Sequence, residues 1–362
     1  MTARILITRP DHLGDVLLTL PAATAFRAAF PGTQLTFLLS PSTADVARRC
    51  PDIDATLVLP FPPLSAAHAV SDWAEVAGAN ADALRDRFDL AVLCRPHDPW
   101  SGTLTTLAQI PLRVGYAVPG MARFLTHAVP LIEQHHAVIQ TLRLMEEAAR
   151  RLGLSAAGHD GVRAAVLNRQ PIPFVPTEDE EAVVSGILSE MRSAWPEPIV
   201  FQPGSGWPLK NWDPVRWARL GIEIRRRYGI TPLVPGGPGE DALVAAIVDA
   251  SDASCLGLAG RLSVGALAAL YRRSALVVGI DSGPLHLAAM VGTPVVGLYG
   301  PLPVQQWAPW SSPQNYRLAR VCLPCSPCDC IFDPPCGIPL HPPCMDGITV
   351  DAVLASCSEL LP

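Results

Sequence analysis

The sequence predicts an α/β protein built from two Rossmann-like halves. Its 362 residues exceed the length over which one hydrophobic core usually grows, so two domains of about 150 to 200 residues are expected. Short apolar runs alternate with helical patterns from the start of the chain, and this alternation is typical of βαβ units. The apolar runs are continuous, as in parallel strands that are buried on both faces.

The first half contains this alternation most clearly in its first hundred residues. Two helices are predicted, at Val16 to Phe30 and at about Asp72 to Arg87. The predicted strands are Arg4 to Thr8, Leu35 to Leu39, Thr56 to Leu59 and Leu90 to Cys94.

A proline-rich seam between Asn168 and Pro198 separates the halves. An acidic helix start lies within it, where Thr177 and Glu180 have the spacing of a capping box. We therefore predict an N-terminal domain over 1–175 and a C-terminal domain over 176–362, with a last helix that can pack back on the first domain.

The second half repeats the architecture of the first. Its predicted strands are Ile199 to Gln202, Thr231 to Val234, Leu276 to Ile280 and Val295 to Tyr299. Its predicted helices are Pro214 to Tyr228, Glu240 to Ala250, Ser263 to Arg273 and Pro284 to Met290. In such folds a ligand is expected in a cleft outside the carboxyl ends of the strands.

Composition excludes several classes of protein. Apolar residues make up 49% and charged residues 17% of the chain, which excludes a disordered protein. The net charge of −6 argues against a partner that is held through nucleic-acid phosphates. The N-terminus lacks the pattern of a signal peptide, and no apolar stretch reaches the roughly 20 residues that span a bilayer. We expect a cytoplasmic protein whose membrane contact, if any, is peripheral.

A first motif, from Arg9 to Asp15, lies between the first strand and the first helix, where doubly wound folds place functional groups. Asp15 is a candidate general base, since a carboxylate that takes a hydroxyl proton contributes about 10² to 10⁴ in rate. The alternative is that Asp15 only stabilises the start of the helix.

A second motif, Pro203 to Trp212, follows the first strand of the second half. The backbone at Ser205 and Gly206 can approach an anion closely, and Lys210 can neutralise a departing diphosphate. The alternative is a glycine-rich connection with an exposed lysine.

A third motif, Ile280 to His286, joins an apolar strand to a short helix. Ser282 or Gly283 suits the cap of that helix and Pro284 suits its first position, so free N–H groups would face a bound phosphate. His286 can add a donor, while Asp281 fits loop stabilisation or a sugar contact. The alternative is that Asp281 only holds the loop and His286 is packed.

A weaker signal is the glycine-rich turn that ends at Glu240. An acidic residue at such a strand-to-helix turn can bind ribose hydroxyls. Turns of this composition are also common without any ligand.

The order and spacing of these motifs resemble glycosyltransferase family 9 over nearly the whole chain. The resemblance implies the GT-B fold, two Rossmann-like domains that face each other across a cleft, and Asp15 as the catalytic base. It also implies Lys210 at the leaving group, Glu240 at ribose and Leu262 near adenine. The implied donor-binding residues are Gly14, Ser205, Gly206, Glu240, Leu262, Asp281, Ser282, Gly283 and His286.

The same resemblance implies a metal-independent, inverting transfer of heptose from ADP-heptose to a lipopolysaccharide core or related surface glycan. A nucleotide-sugar donor and a glycan or glycolipid acceptor are the expected partners, with no nucleic acid. Alternatives are a nucleotide-sugar epimerase of the same fold, a transferase acting on a protein or natural product, and a binding protein without turnover.

A cysteine-rich segment lies near the C-terminus. Six of the ten cysteines fall between Cys322 and Cys344. In a cytosolic enzyme, C-x-x-C spacing favours a metal such as structural iron or zinc, with free thiols as the alternative. Resemblance to family members favours the ligands Cys325, Cys328, Cys336 and Cys344 and leaves Cys322 and Cys330 as extras.

The acceptor is expected to enter through the N-terminal half. Two segments there, Leu59 to Trp73 and Arg95 to Arg123, are predicted to be loops. Residues that could meet an anionic acceptor are His68, Arg95, His97, Arg113 and Arg123, although solvated surface is the alternative for most of them.

Overall fold

A computed structural model describes residues 2–61, 70–190, 197–330, 332–337 and 342–361 of the chain. The chain forms two compact units, Met1–Pro173 and Phe174–Pro362. Each unit is an α/β structure with its own sheet, and each is described separately below.

The first unit contains a parallel six-stranded sheet in the order β3-β2-β1-β4-β5-β6. Its elements are β1 Arg4–Thr8, α1 Leu13–Ala29, β2 Gln34–Leu39, α2 Ala44–Arg48, β3 Ala55–Val58, α3 Val70–Ala81, β4 Leu90–Leu93, α4 Pro99–Leu107, β5 Leu112–Tyr116, β6 His127–Val129, α5 Ala137–Arg151 and α6 Ala156–Leu167.

The centre of this sheet positions the first motif. Strands β1 and β4 are neighbours, with Thr8 opposite Leu93, so the residues that follow them lie at the same edge. The sheet continues for one residue on each strand, because Cys94 donates its N–H to Thr8 O (3.1 Å) and Arg9 donates its N–H to Leu38 O (3.2 Å). The backbone at Arg9 and Cys94 is thereby fixed.

The second unit also contains a parallel six-stranded sheet, in the order β12-β11-β10-β7-β8-β9. Its elements are α7 Glu178–Glu190, β7 Ile199–Gln202, α8 Pro214–Tyr228, β8 Leu233–Gly236, α9 Asp241–Ala250, β9 Leu256–Ala259, α10 Val264–Arg272, β10 Leu276–Ile280, α11 Gly283–Met290, β11 Val295–Tyr299, α12 Val304–Trp307, β12 Tyr316–Arg320, α13 Pro343–Asp346 and α14 Val350–Ser358.

Helix α8 illustrates how the sequence sets an element. Asp213 caps its start by accepting a hydrogen bond from Val215 N (2.7 Å), and Pro214 occupies its first turn. Gly229 ends the helix with a left-handed φ of 69°. The inward face buries Trp217 in the core of the unit, and α14 packs against the same helix.

Sheet order brings the motifs of the second unit to one edge. Strand β7 lies between β10 and β8, so the segments that follow these three strands lie side by side at their carboxyl ends. The second motif follows β7, the third follows β10, and the turn that ends at Glu240 follows β8.

Most elements predicted from the alternating pattern are present, with shifts of a few residues at their ends. The capping box at α7 is confirmed, because Glu180 Oε2 accepts a hydrogen bond from Thr177 N (2.9 Å) and Thr177 Oγ1 accepts one from Glu180 N (3.3 Å).

The prediction of a loop over Arg95 to Arg123 is wrong. The segment contains α4 and β5, whose short apolar stretches carry too little periodicity to be recognised alone. Strands β9 and β12 were also missed. The other predicted loop, Leu59 to Trp73, falls largely on 62–69, outside the described residues.

Among the residues that the structure describes, no helix has the length and apolar character needed to cross a bilayer.

Candidate functional site

A buried charged cluster forms where the second and third motifs meet in the second unit. Lys210 Nζ lies 2.8 Å from Asp281 Oδ2 and donates a second hydrogen bond to Asp281 O (3.3 Å). His286 Nε2 lies 3.5 Å from Asp281 Oδ1. The side chains of Lys210, Asp281 and His286 are only 11%, 6% and 4% exposed, so these predicted site residues share one site at the carboxyl ends of β7 and β10.

The charges of this cluster balance inside the protein. Burial disfavours the ionised Asp281 carboxylate, but Lys210 and His286 outweigh it and hold the pKa of Asp281 below its ordinary value. Asp281 therefore keeps its charge and fixes the two cationic or donor groups beside it.

The start of α11 presents donors at the same place. Ser282 precedes the helix with extended backbone, Pro284 lies in the first turn, and no side chain caps the free N–H groups. Within the described part of the chain, Ser282 Oγ and His286 Nδ1 are buried without a hydrogen-bond partner. An unpaired buried hydroxyl beside a positive helix end is suited to a phosphate group.

The loop after β7 is organised by its own hydrogen bonds. Ser205 Oγ donates to Trp207 O (2.8 Å) and accepts from Trp207 N (3.1 Å). Gly206 is exposed, and a Cβ built there would meet nothing within 4 Å. The backbone at Gly206 is thus open to solvent, and anion binding by Ser205 and Gly206 stays a prediction.

Glu240 is held against this loop. A Cβ on Gly204 would come within 2.0 Å of Glu240 Oε1, so a side chain there would displace the Glu240 carboxylate. Glu240 Oε2 also accepts a hydrogen bond from Gly237 N (2.8 Å). Leu262 is half-buried in the connection between β9 and α10. The ribose role of Glu240 and the adenine role of Leu262 stay predictions.

Asp15 takes part in a second cluster, in the first unit. It lies with Gly14 in the first turn of α1, and its Oδ1 contacts Arg9 Nη2. Arg9 Nε lies 2.9 Å from Asp11 Oδ1. Sequence reasoning placed Arg9 and Asp11 in the first motif but gave neither a role. The signal was their spacing to Asp15, which alone cannot show that one guanidinium meets both carboxylates.

The first-unit cluster is deeply buried. Burial disfavours the charged Arg9, but Asp11 and Asp15 outweigh it and raise the pKa of Arg9. Burial and the neighbouring carboxylates raise the pKa of Asp11 to about 7, although Arg9 and Arg95 oppose this. Asp11 therefore changes charge near neutral pH.

Several cationic candidates for acceptor binding have structural partners. Arg113 Nε donates to Phe124 O (2.6 Å), and the Arg123 guanidinium lies 4.6 Å from the Phe124 ring centre. Arg95 lies over the Phe61 ring at 5.6 Å and also faces Asp11, with Nε 3.6 Å from Oδ2. His97 is exposed, and His68 lies outside the described residues.

The four cysteines predicted as metal ligands lie in different surroundings, and their role as ligands stays a prediction. Cys325 and Cys336 are exposed, whereas Cys344 is buried against Gly300. Cys328 Sγ and Cys336 Sγ face backbone carbonyls instead, 3.4 Å from Cys330 O and 3.5 Å from Gly337 O. Across the described ranges, no three His, Cys, Asp or Glu side chains are placed to hold a metal ion.

Known proteins resemble this chain over most of its length. Lipopolysaccharide heptosyltransferase 3 of Escherichia coli is 24% identical over 313 residues, which are 83% of this chain and 84% of the relative. The structure of E. coli ADP-heptose LPS heptosyltransferase II is 19% identical, with a TM-score of 0.73 over 99% of this chain and 98% of that one. The iron-containing dodecameric glycosyltransferase TibC of enterotoxigenic E. coli is 16% identical, with a TM-score of 0.52 over 99% of this chain and 76% of that one.

At these identities the structural likeness establishes the fold, and the prediction of a GT-B fold is confirmed. The sequence model of glycosyltransferase family 9 (heptosyltransferase) matches residues 79–334, which is more than half of the chain. The resemblance inferred from the motifs is therefore confirmed, and the chain is a glycosyltransferase that belongs to glycosyltransferase family 9.

Proposed function

We propose that the protein transfers heptose from ADP-heptose, with inversion, to a hydroxyl of a lipopolysaccharide core or related surface glycan. The observation that carries the proposal is the joining of Lys210 to the uncapped start of α11 through Asp281. A buried ammonium beside free helix N–H groups is suited to the charge that develops on a departing diphosphate.

The relatives support the choice of donor and acceptor class. One E. coli relative described above is a lipopolysaccharide heptosyltransferase, and one structural neighbour is an ADP-heptose LPS heptosyltransferase. We extend both the donor and the acceptor class to this chain as part of the proposal. A glycolipid acceptor would bring the protein to a membrane surface by peripheral contact, without a role for nucleic acid.

The proposed transfer is a single displacement. The acceptor oxygen forms a bond to the anomeric carbon on the face opposite the diphosphate, and its proton passes to the Asp15 carboxylate. The bond between the anomeric carbon and the diphosphate oxygen breaks with its electron pair. The resulting diphosphate charge is stabilised by Lys210 and the N–H groups at the start of α11.

The two units have different parts in this proposal. Donor binding is assigned to the second unit, through Ser205, Gly206, Lys210 and the start of α11, with Glu240 and Leu262 at the nucleoside. Acceptor binding and the base are assigned to the first unit, where Gly14 shapes the turn that bears Asp15.

No metal is given a step. TibC is iron-containing, and a structural iron or zinc in the cysteine-rich segment of this chain stays a prediction without a part in the transfer. The positive charge that a metal would supply at the leaving group is available from Lys210. Transfer is expected to persist at full rate in EDTA, and loss of activity that Mg²⁺ restores would contradict this point.

Asp15→Asn tests the base. The amide keeps the shape of the side chain but cannot take the proton, so kcat is expected to fall by about 10² to 10⁴ while ADP affinity is unchanged. Steady-state kinetics and calorimetry with ADP measure the two quantities. Asp89→Asn is the matched control, since Asp89 pairs with Arg4 at the other end of β1. Near-normal turnover by Asp15→Asn would refute the base assignment.

A panel of nucleotide sugars tests the reaction itself. Incubation with ADP-heptose and a lipid-A-linked core acceptor is expected to release ADP, and NMR of the product is expected to show the opposite anomer. An isomerised nucleotide sugar would instead identify an epimerase. Binding of every donor without consumption would identify a binding protein.

A further inference from the structure

One guanidinium in the first unit contacts three groups: it donates hydrogen bonds to Asp15 and to Cys94 O, and it meets Asp11 as a close charge contact without hydrogen-bond geometry. Arg9 Nε lies 2.9 Å from Asp11 Oδ1, Arg9 Nη2 contacts Asp15 Oδ1, and Arg9 Nη1 donates to Cys94 O. The Arg9 side chain is only 11% exposed and that of Asp11 only 6%. A planar guanidinium fixes the angle of a carboxylate that it hydrogen-bonds, here Asp15, more tightly than an ammonium can.

The backbone gives Arg9 little freedom to leave this position. Arg9 directly follows β1, and its N–H is bound to Leu38 O. Cys94, which accepts from Arg9, is tied to Thr8 at the end of the adjacent strand. Asp15 lies in the first turn of α1, and only the short connection between β1 and α1 separates it from Arg9 along the chain. This short connection limits how far the Asp15 carboxylate can move from Arg9.

The charged groups around Arg9 do not form separate one-to-one ion pairs. Asp11 and Asp15 share Arg9, and Arg95 is a second, more distant cation at 3.6 Å from Asp11. The other titratable groups that face the cluster from β4, α4 and β5 are Asp98, Cys94 and Tyr116. Asp98 is fully buried and caps α4 by accepting from Ser101 N (3.0 Å).

We propose that Arg9 and Asp11 are positioning residues for Asp15 in the transfer reaction. Arg9 fixes the direction of the Asp15 carboxylate. Asp11 lies beside the same guanidinium, and its negative charge weakens the electrostatic effect of Arg9 on Asp15. This inference rests on the proposed function of Asp15 as the base. Neither residue is required to touch the substrate.

The proposal has a direct consequence for pH. Burial holds the pKa of Asp11 at about 7, so below this pH Asp11 is neutral and Arg9 is left to Asp15. Above it, Asp11 is ionised and competes for Arg9. The proton of the acceptor hydroxyl is then taken up more readily, so turnover is expected to rise as the pH increases through about 7.

Asp11→Asn separates positioning from simple support of the fold. Asparagine mimics the neutral form of Asp11 at every pH, so kcat is expected to match the wild type at pH 6 and to fall about tenfold below it at pH 8.5, equivalent to ~1.4 kcal/mol of coupling. ADP affinity is expected to stay unchanged at both pH values. Asp89→Asn, which changes the Arg4 pair on the same strand, is expected to reproduce the wild-type profile.

Two Arg9 variants test the guanidinium. Arg9→Lys keeps the positive charge but removes the planar set of N–H donors of the guanidinium. It is expected to lower kcat about tenfold or more at pH 8.5. Arg9→Met leaves two buried carboxylates without their shared cation and is expected to be less active still. If Arg9→Met fails to fold, Arg9→Lys and Asp11→Asn still test whether Arg9 and Asp11 position Asp15.

The failures are distinguishable. If kcat of Asp11→Asn depends on pH in the same way as kcat of the wild type, at any level of activity, the inference is overturned. The assignment of Asp15 as the base would be unaffected by that result. Normal turnover by Asp15→Asn would refute the proposed base, whatever Asp11→Asn does. An inactive Asp15→Asn together with convergence of Asp11→Asn and wild type at pH 6 only would support both.

Discussion

The residues that carry charge in the interior are the ones on which the proposed chemistry depends. Lys210 and Asp281 are both largely buried, and each makes the burial of the other tolerable. Such a pair contributes little net stability compared with apolar residues, but removing one member leaves an uncompensated charge. The presence of this buried pair is therefore better explained by the proposed role at the phosphate site than by folding.

A double-variant cycle tests this pair. Lys210→Met is expected to lower the free energy of unfolding by about 3 kcal/mol, because the Asp281 carboxylate is left buried and unpaired. Adding Asp281→Asn is expected to recover part of that loss while ADP binding stays weak. Urea unfolding and calorimetry measure the two quantities, and additive effects in the cycle would show that the residues do not interact.

The same pair contributes to the loss of folding stability at acidic pH. Since the pKa of Asp281 is depressed below its ordinary value of 3.8, its contribution to stability is complete above that pH and is lost as the pH falls through the lower folded value. Asp281→Asn is expected to flatten the fall in stability below pH 4. Urea unfolding over a series of acidic pH values measures this, and an unchanged acid limb would contradict the depressed pKa.

At the scale of elements, the loop after β7 combines two different glycines. The Glu240 carboxylate fills the space beside Gly204, whereas Gly206 faces open space. The first glycine fits the loop to its neighbour, and the second leaves backbone accessible to the donor. A methyl group at Gly204 would therefore disturb the packing of Glu240, whereas one at Gly206 would only cover the exposed backbone.

Alanine substitution separates these roles. Gly204→Ala is expected to lower the melting temperature, because Cβ would clash with the Glu240 carboxylate unless that side chain turns away. Gly206→Ala, the matched control, is expected to melt like the wild type but to bind ADP more weakly, because its Cβ narrows the approach to the loop. Differential scanning fluorimetry and calorimetry measure both, and equal melting of the two variants would contradict the packing argument.

At the scale of the whole molecule, the two units carry separate sheets and separate parts of the chemistry. All residues proposed for the donor phosphates belong to Phe174–Pro362, whereas the proposed base belongs to Met1–Pro173. Ligand binding and base chemistry should therefore be separable by substitution.

ADP is expected to stabilise the protein through the second unit. At a concentration about 100 times its Kd, a ligand that binds only the folded protein adds about 2.7 kcal/mol. This gain is expected in the wild type and in Asp15→Asn but not in Lys210→Ala. Thermal unfolding with and without ADP measures it, and loss of the gain in Asp15→Asn would contradict the division of roles.

The sequence alone determined the fold class and most of the elements around the site. Continuous apolar runs and helical periodicity identified β1, β7, β10 and β11 because buried parallel strands leave little choice of residue. Motifs directly after such strands were predicted to be functional, and Lys210, Asp281 and His286 do share a site. The edge strand β9 and the short helix α4 were missed because packing, more than local pattern, stabilises them. Helix α5 was missed as well, although its 15 residues have an apolar face that the periodicity could have shown.

Only the tertiary structure decided which charged groups share a partner. Sequence spacing placed Arg9, Asp11 and Asp15 in one loop, but the order of strands in the sheet placed Cys94 and Arg95 beside them. The reason is that Coulomb energies and metal coordination depend on separations of a few ångströms in a low-dielectric interior, and sheet register, not distance along the chain, sets those separations.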